Sequence, residues 1–209
     1  TLFGRESFGL SSCRPEKKEV APLSTAEKRI FIERPDALQS AVRMGMLSLD
    51  RKHPDYLKFR VLVTLFGGYF GSRLMSNIRE DKGYTYGIGS SVQWYNGNAV
   101  FNIVAEVNAD VWQDAVAEIL QEIEHLYTKP IPADELNLVK KTMLGDTLGM
   151  FDGPVASARV LKSLMEAGLD YSFLETGIRA IHSTYEAMQQ NLAKKYLTRD
   201  SLLTVVAGA

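Results

Sequence analysis

The side chains able to hold a metal or attack a carbonyl are few in this sequence. A catalytic zinc needs three protein ligands gathered at one point, and the chain has three histidines in all, His53, His125 and His182. None belongs to an H-x-x-E-H stretch, the inverted arrangement that sets two imidazoles and a general base on one helix. Gln121-Glu-Ile-Glu124-His125 comes within one residue of that pattern, with Gln121 standing where the first histidine would be. Ile119, Ile123 and Leu126 make the apolar stripe there, so Gln121 and His125 are expected on the solvated side. His182 and Glu186 have i, i+4 spacing, but Glu186 is better explained as the partner of Ser183 in a capping box. His53 lies beside Pro54-Asp55 in a polar turn. Cys13 is the one cysteine, which excludes an intrachain disulfide and a cysteine-based metal site. No G-x-S-x-G stretch offers a serine nucleophile. No metal site is expected in this chain.

The elements that would position any chemistry can be read from the apolar pattern. At 209 residues and 45% hydrophobic content the chain can bury one sizeable core. Its 24 basic and 25 acidic residues leave a charge of −1 without a long run of either sign, so nucleic acid is not an expected partner. No apolar stretch approaches the roughly 20 residues that cross a bilayer, and the chain is expected to be soluble with its compartment open. Its first residue is Thr, which points to a processed protein or an excised piece. Residues 1–27, with Gly4, Gly9, Pro15 and Pro22, show no sustained period and read as a linker or the tail of a preceding domain. Residues 28–209 read as one domain.

Within it, Lys28–Arg34 and Ser40–Leu49 are strand-like. Leu57, Val61, Leu62 and Leu65 recur at helical spacing until Gly67-Gly68, and a short helix is expected over Ser72–Arg79. Tyr84–Trp94 and Ala99–Val107 are strand-like, and Asn96-Gly97-Asn98 supplies the residues of a tight hairpin. Asp110 is expected to cap the helix carrying Val111, Ala115, Ile119, Ile123 and Leu126. Leu136, Val139, Met143 and Leu148 mark the next helix and Val155–Ala167 another. Ser183 to Glu186 should open the last helix, and Leu202–Ala207 returns as a strand. Strands at the ends and middle with helices between them predict an α+β two-layer sandwich: one mixed, mostly antiparallel sheet with helices packed on one face.

The most informative stretch is residues 67–91, GGYFGSRLMSNIREDKGYTYGIGSS. A glycine break leads through a short, charge-ended helix into a strand opened by Gly83-Tyr84-Thr85-Tyr86-Gly87. This order resembles the signature of the C-terminal, non-zinc domain of the pitrilysin/insulinase-type zinc metallopeptidases. Arg34-Pro35, Leu38-Gln39-Ser40 and His53-Pro54-Asp55-Tyr56 upstream, with Ile131-Pro132-Ala133-Asp134-Glu135-Leu136 downstream, resemble the same family, so the likeness runs over roughly residues 28 to 209.

That resemblance implies a function. Active members pair an H-x-x-E-H domain with a second domain that lacks the motif, closes over the peptide, and contributes an arginine and a tyrosine seven residues apart. Arg79 and Tyr86 have that spacing here. Arg79 would bind substrate through planar donors to peptide carbonyls. Tyr86 would also bind substrate and, as the catalytic contribution, donate its hydroxyl to the oxyanion that develops as water attacks. Tyr84 is the rival tyrosine, because strand residues 84 and 86 share a face. On residue types alone, Arg79 could instead belong to a solvated charge cluster and Tyr86 could be an inward-facing strand aromatic.

The resemblance further implies no cofactor in this chain, zinc in a partner domain, and a peptide as the substrate. That partner could lie in the same full-length chain or in a separate subunit. The chain alone is expected to be inactive. The alternative is a non-catalytic structural or interaction domain, since the family also includes core subunits of a respiratory complex. A self-contained hydrolase with an unrecognised site is a third, weaker reading.

Overall fold

The computed structural model describes residues 26–95 and 98–209. The linker expected over residues 1–27 and its Cys13 therefore lie almost wholly outside the described residues, as do Asn96 and Gly97 of the expected hairpin turn. Five strands, β1 (Arg29–Glu33), β2 (Gln39–Ser48), β3 (Thr85–Tyr95), β4 (Asn98–Asn108) and β5 (Leu203–Gly208), form one sheet. Its order is β1-β5-β2-β4-β3. Only β1 and β5 run parallel; the other pairings are antiparallel, and β3 meets β4 down to Tyr95 opposite Asn98.

The two-residue period of the strands explains how the layers form. Val42 and Met44 of β2, Phe101, Ile103, Ala105 and Val107 of β4, and Val206 of β5 are buried in one core. Their neighbours Arg43, Leu47, Val104 and Glu106 point to the other face and stay exposed. The helices α1 (Tyr56–Val63), α2 (Trp112–Thr128), α3 (Ala133–Gly149), α4 (Pro154–Glu166), α5 (Ser172–Ser183) and α6 (Glu186–Tyr196) make up the second layer. Phe59 of α1, Ile119 and Ile123 of α2 and Val139 of α3 complete the core. Burying a side chain of this size stabilises the fold by about 1.5–3 kcal/mol. The α+β sandwich expected from the sequence is the architecture found.

Two expected caps are not. The helix after β4 begins at Trp112 with Val111 at its cap and no capping side chain. A tight turn, with the Val111 amide donating to the Asn108 carbonyl at 3.2 Å, takes up Asp110. The start of α2 is fixed by packing, since Trp112 stacks on Phe31 with ring centroids 5.2 Å apart. Ser183 does not open a capping box either. It ends α5, a helix the apolar pattern did not single out, and its hydroxyl donates back to the Ala180 carbonyl at 3.2 Å. Helix α6 starts at Glu186 with no side-chain cap.

Candidate functional site

The Gly67–Ser91 stretch is built from two wide helical turns and one irregular strand. Helix α1 does not stop at its last α-helical residue but widens into a π-helical turn over Thr64–Gly68. Gly67 is required there, because a Cβ on it would lie 2.7 Å from the Ser90 backbone nitrogen of β3. The helix expected over Ser72–Arg79 is present, and from Met75 to Asp81 it is a π-helical segment. Turns of this kind are rare and are frequent at functional sites. Gly83, with φ +66, then reverses the chain. The Tyr84 amide donates to the Ile78 carbonyl at 3.0 Å, closing the helix end in the manner of a Schellman motif widened by one residue.

This segment is pinned to the helix layer by polar side chains the sequence gave no reason to pair. Arg73 makes a two-pronged ion pair with Glu135 of α3, at 2.7 and 2.8 Å. Asn77 donates to Glu118 and Glu122 of α2 at 3.2 and 2.9 Å, and Lys82 pairs with Glu118 at 3.2 Å. Burial alone would raise the Glu118 pKa, but the Asn77 and Lys82 hydrogen bonds outweigh it and hold the carboxyl below its usual range. Arg79 and Glu80 are not used in this way. Among the described residues no carboxylate pairs with Arg79, and its guanidinium lies over the exposed Phe70 ring, 4.7 Å from the centroid. A stack of this kind fixes the plane of the guanidinium while leaving its N–H edge free.

Tyr86 sits opposite, at the start of β3. It is 89% exposed, and its hydroxyl makes no hydrogen bond among the described residues. It is therefore not an inward-facing strand aromatic. Tyr84 precedes the strand and lines the same cleft, but it packs half-buried against the core, whereas Tyr86 is turned fully outward. The cause is a bulge. Thr85 pairs with Val107 and Ile88 with Ala105, so three steps along β3 match two along β4. Arg79, Glu80, Tyr84, Thr85, Tyr86 and Asn108 line one open cleft of about 340 Å³. Sequence spacing thus brings together the free cation and the free phenol; Phe70, Asn77, Thr85 and Glu118, which set them in place, were not anticipated.

The histidines are not brought together. The His53 Nδ1 accepts the Asp55 amide at 3.1 Å and its ring meets the edge of Tyr196. His125 faces Glu122 at 3.2 Å and Gln121 at 3.5 Å on α2, while His182 lies on α5. Among the described residues no group of three or more His, Cys, Asp or Glu could hold a metal ion, so the residues present do not fit a zinc site. No helix among them is long and apolar enough to cross a membrane. A separate cavity of about 200 Å³ between α1, α3 and α5, reached by Arg60 and Asp146, contains none of the signature side chains.

Known proteins share this fold. The chain is 24% identical over 201 residues to an uncharacterized zinc protease of Mycobacterium tuberculosis, covering 93% of this chain and 45% of that protein. It thus spans about half the length of the curated relatives it matches. A solved peptidase M16 inactive domain from Pseudomonas fluorescens superposes with a TM-score of 0.78 at 24% identity, over 87% of this chain and 43% of that one. A chain of Complex III2 from Candida albicans has the same fold, with a TM-score of 0.72 at 13% identity, over 91% of this chain and 48% of that one. Residues 5–143, well over half of the sequence, match the family described as the peptidase M16 inactive domain, and the chain belongs to that family.

Proposed function

We propose that this domain is the substrate-binding and transition-state-assisting half of a zinc metalloendopeptidase, inactive alone. The observation that carries the reading is the pairing of an unpartnered guanidinium and an unpartnered phenol on one open cleft. Arg79 would hold peptide carbonyls with its free N–H edge. Tyr86 would donate to the oxyanion at the scissile carbonyl, where a preorganised donor has most effect. Metal and general base would come from an H-x-x-E-H domain, in the same full-length chain or a second subunit. Residues 28–209 would form the domain and residues 1–27 its connection to whatever precedes it. The sheet face that no described helix covers, with Ile32, Leu47 and Val104 exposed among the described residues, is compatible with a second body lying against it.

The test is peptide hydrolysis by this chain assembled with its zinc-bearing half. Tyr86→Phe deletes only a hydroxyl and should lower kcat by about 10²–10³-fold with little change in KM. Tyr84→Phe, whose ring packs against the core, should change little. Full kcat in both variants would remove the catalytic role. A second reading, a non-catalytic structural domain, is favoured by the Complex III2 likeness. It predicts that the assembled protein hydrolyses no peptide and that the upstream or neighbouring sequence carries a degraded H-x-x-E-H.

A further inference from the structure

We infer that Thr85 is a positioning residue whose buried hydroxyl holds the β3 bulge and so turns Tyr86 out of the core and into the cleft; the mechanistic weight of this rests on the role proposed for Tyr86. Inward-facing residues of β3 include Ile88 and Ser90, both buried. Counted back from them by twos, Tyr86 would fall on the same inner face, against Ile78 and the helix layer. The extra residue reverses the phase, so that Thr85 is buried and Tyr86 and Gly87 both face out.

Nothing apolar compels that reversal, but the Thr85 hydroxyl does three things. It accepts the Gly87 amide at 3.1 Å, an N–H that the bulge has taken out of the ladder. Its single proton is directed between the Glu106 carbonyl of β4 and the Gly87 carbonyl. One side chain therefore satisfies both the displaced residue and the partner strand at the point of mismatch. Beyond the bulge the ladder closes again, with the Asn108 amide donating to the Tyr84 carbonyl at 3.2 Å. Valine has nearly the same shape but would strand these groups in a site that is 9% exposed. Each stranded group favours the regular register, which has no displaced amide.

The experiment uses Thr85→Val and Thr85→Ser in the protein assembled with its zinc-bearing half, and reads two quantities. The first is nitration of Tyr86 by tetranitromethane relative to Tyr185, another exposed tyrosine, which lies between α5 and α6. The ratio should fall several-fold in Thr85→Val and hold in Thr85→Ser. The second is the kcat–KM split. Thr85→Val should lose about 10²-fold in kcat with KM nearly constant, as expected for an oxyanion donor moved out of place, and Thr85→Ser should restore it. Combining Thr85→Val with Tyr86→Phe should cost no more than Tyr86→Phe alone, because both remove one interaction. If Thr85→Val does not fold, Thr85→Ala, which removes the hydroxyl without valine's branched bulk, must lower the nitration ratio instead. An unchanged ratio in the folded variant overturns the inference. A lowered ratio with Tyr86→Phe fully active upholds the bulge and removes the catalytic reading of Tyr86.

Discussion

Two polar grooves of this molecule invite opposite conclusions from sequence and from structure. The groove on the outer side of α2 holds Gln121, Glu124, His125 and Arg199 and, at about 550 Å³, is larger than the Arg79–Tyr86 cleft at about 340 Å³. It also comes closer to a recognised metal-protease motif. Yet His125 is already engaged by Glu122 and Gln121, and Glu122 is shared with Asn77. Gln121, Glu122 and His125 are thus tied to one another and, through Asn77, to the π-helical segment, while Glu124 and Arg199 remain at the open rim. Around the cleft, by contrast, the anchors Arg73, Asn77 and Lys82 are committed, and Arg79 and Tyr86 are left over together with Glu80 and the Tyr84 hydroxyl. What marks a binding site is polar groups that the fold holds still without using up, not the number of ionisable residues or the volume between them.

The sharpest way to break that comparison is to remove the leftover groups. Arg79→Ala should lower kcat and raise KM together, reducing kcat/KM of the assembled enzyme by about 10²-fold, because holding the peptide contributes to ground-state binding and aligning its scissile bond contributes further in the transition state. Steady-state kinetics on one peptide decides it, and a KM-only effect would reduce Arg79 to uniform binding. Phe70→Leu keeps an apolar contact but removes the ring face beneath the guanidinium. Its effect should be smaller, close to the about 0.5–1 kcal/mol of an exposed cation–π contact.

The anchors come next. Glu118→Ala takes one acceptor from Asn77 and the only ion-pair partner of Lys82 among the described residues. Hydrogen bonds to a charged group contribute about 1.5–3 kcal/mol when buried. This carboxylate is partly exposed, and solvent screening should bring the loss to about 1 kcal/mol. A urea midpoint unchanged by Glu118→Ala would show that the π-helical segment is held by apolar packing instead. The same group sets a pH dependence. A carboxyl whose folded pKa is depressed stabilises fully above its unfolded pKa, and that contribution is lost as pH falls through the folded value. Asp55, held low by the Tyr196 hydroxyl at 2.6 Å and by Lys195 at 3.1 Å, behaves alike at the start of α1. Stability should therefore decline below about pH 4. Glu118→Gln and Asp55→Asn should each flatten that acid limb, measured by urea unfolding across the range; a variant that leaves the limb unchanged excludes its carboxyl as the cause.

Much of this was legible in the sequence, for physical reasons that also explain the rest. The strands and the helices around Ile119–Leu126 and Leu136–Met143 show in the apolar period because each buries one face on one core. Helix α5 escaped notice because Gly177, a poor helix former, sits in the middle of its pattern, although a Cβ there would meet Leu57 only at an ordinary 3.7 Å. The caps assigned to Asp110 and Ser183 failed because local capping lost to the Phe31–Trp112 stack and to the unseen end of α5. Arg79 and Tyr86 were found by family resemblance, not by periodicity. Strand alternation would have placed Tyr86 in the core, and the bulge depends on pairing with β4, which no local pattern records. The available hint was Gly87 inside an otherwise strand-like run, since an isolated strand glycine often marks a bulge.

The smallest expected effect belongs to the other groove. Removing the His125 ring takes away a contact to Glu122 whose Asn77 hydrogen bond persists, on a partly exposed helix face. Such side chains contribute about 0–1 kcal/mol, so His125→Ala should shift the unfolding midpoint only slightly and leave kcat and KM of the assembled enzyme unchanged. The chain on its own should also bind no stoichiometric zinc, with or without His125, because a lasting site needs three converging ligands and no group of three or more His, Cys, Asp or Glu among the described residues is placed to hold one. Elemental analysis of the chain after exposure to zinc and dialysis against a weak chelator checks this. One zinc per chain that survives dialysis and disappears in His125→Ala would reverse the comparison, making the groove on α2 the metal site and the Arg79–Tyr86 cleft the bystander.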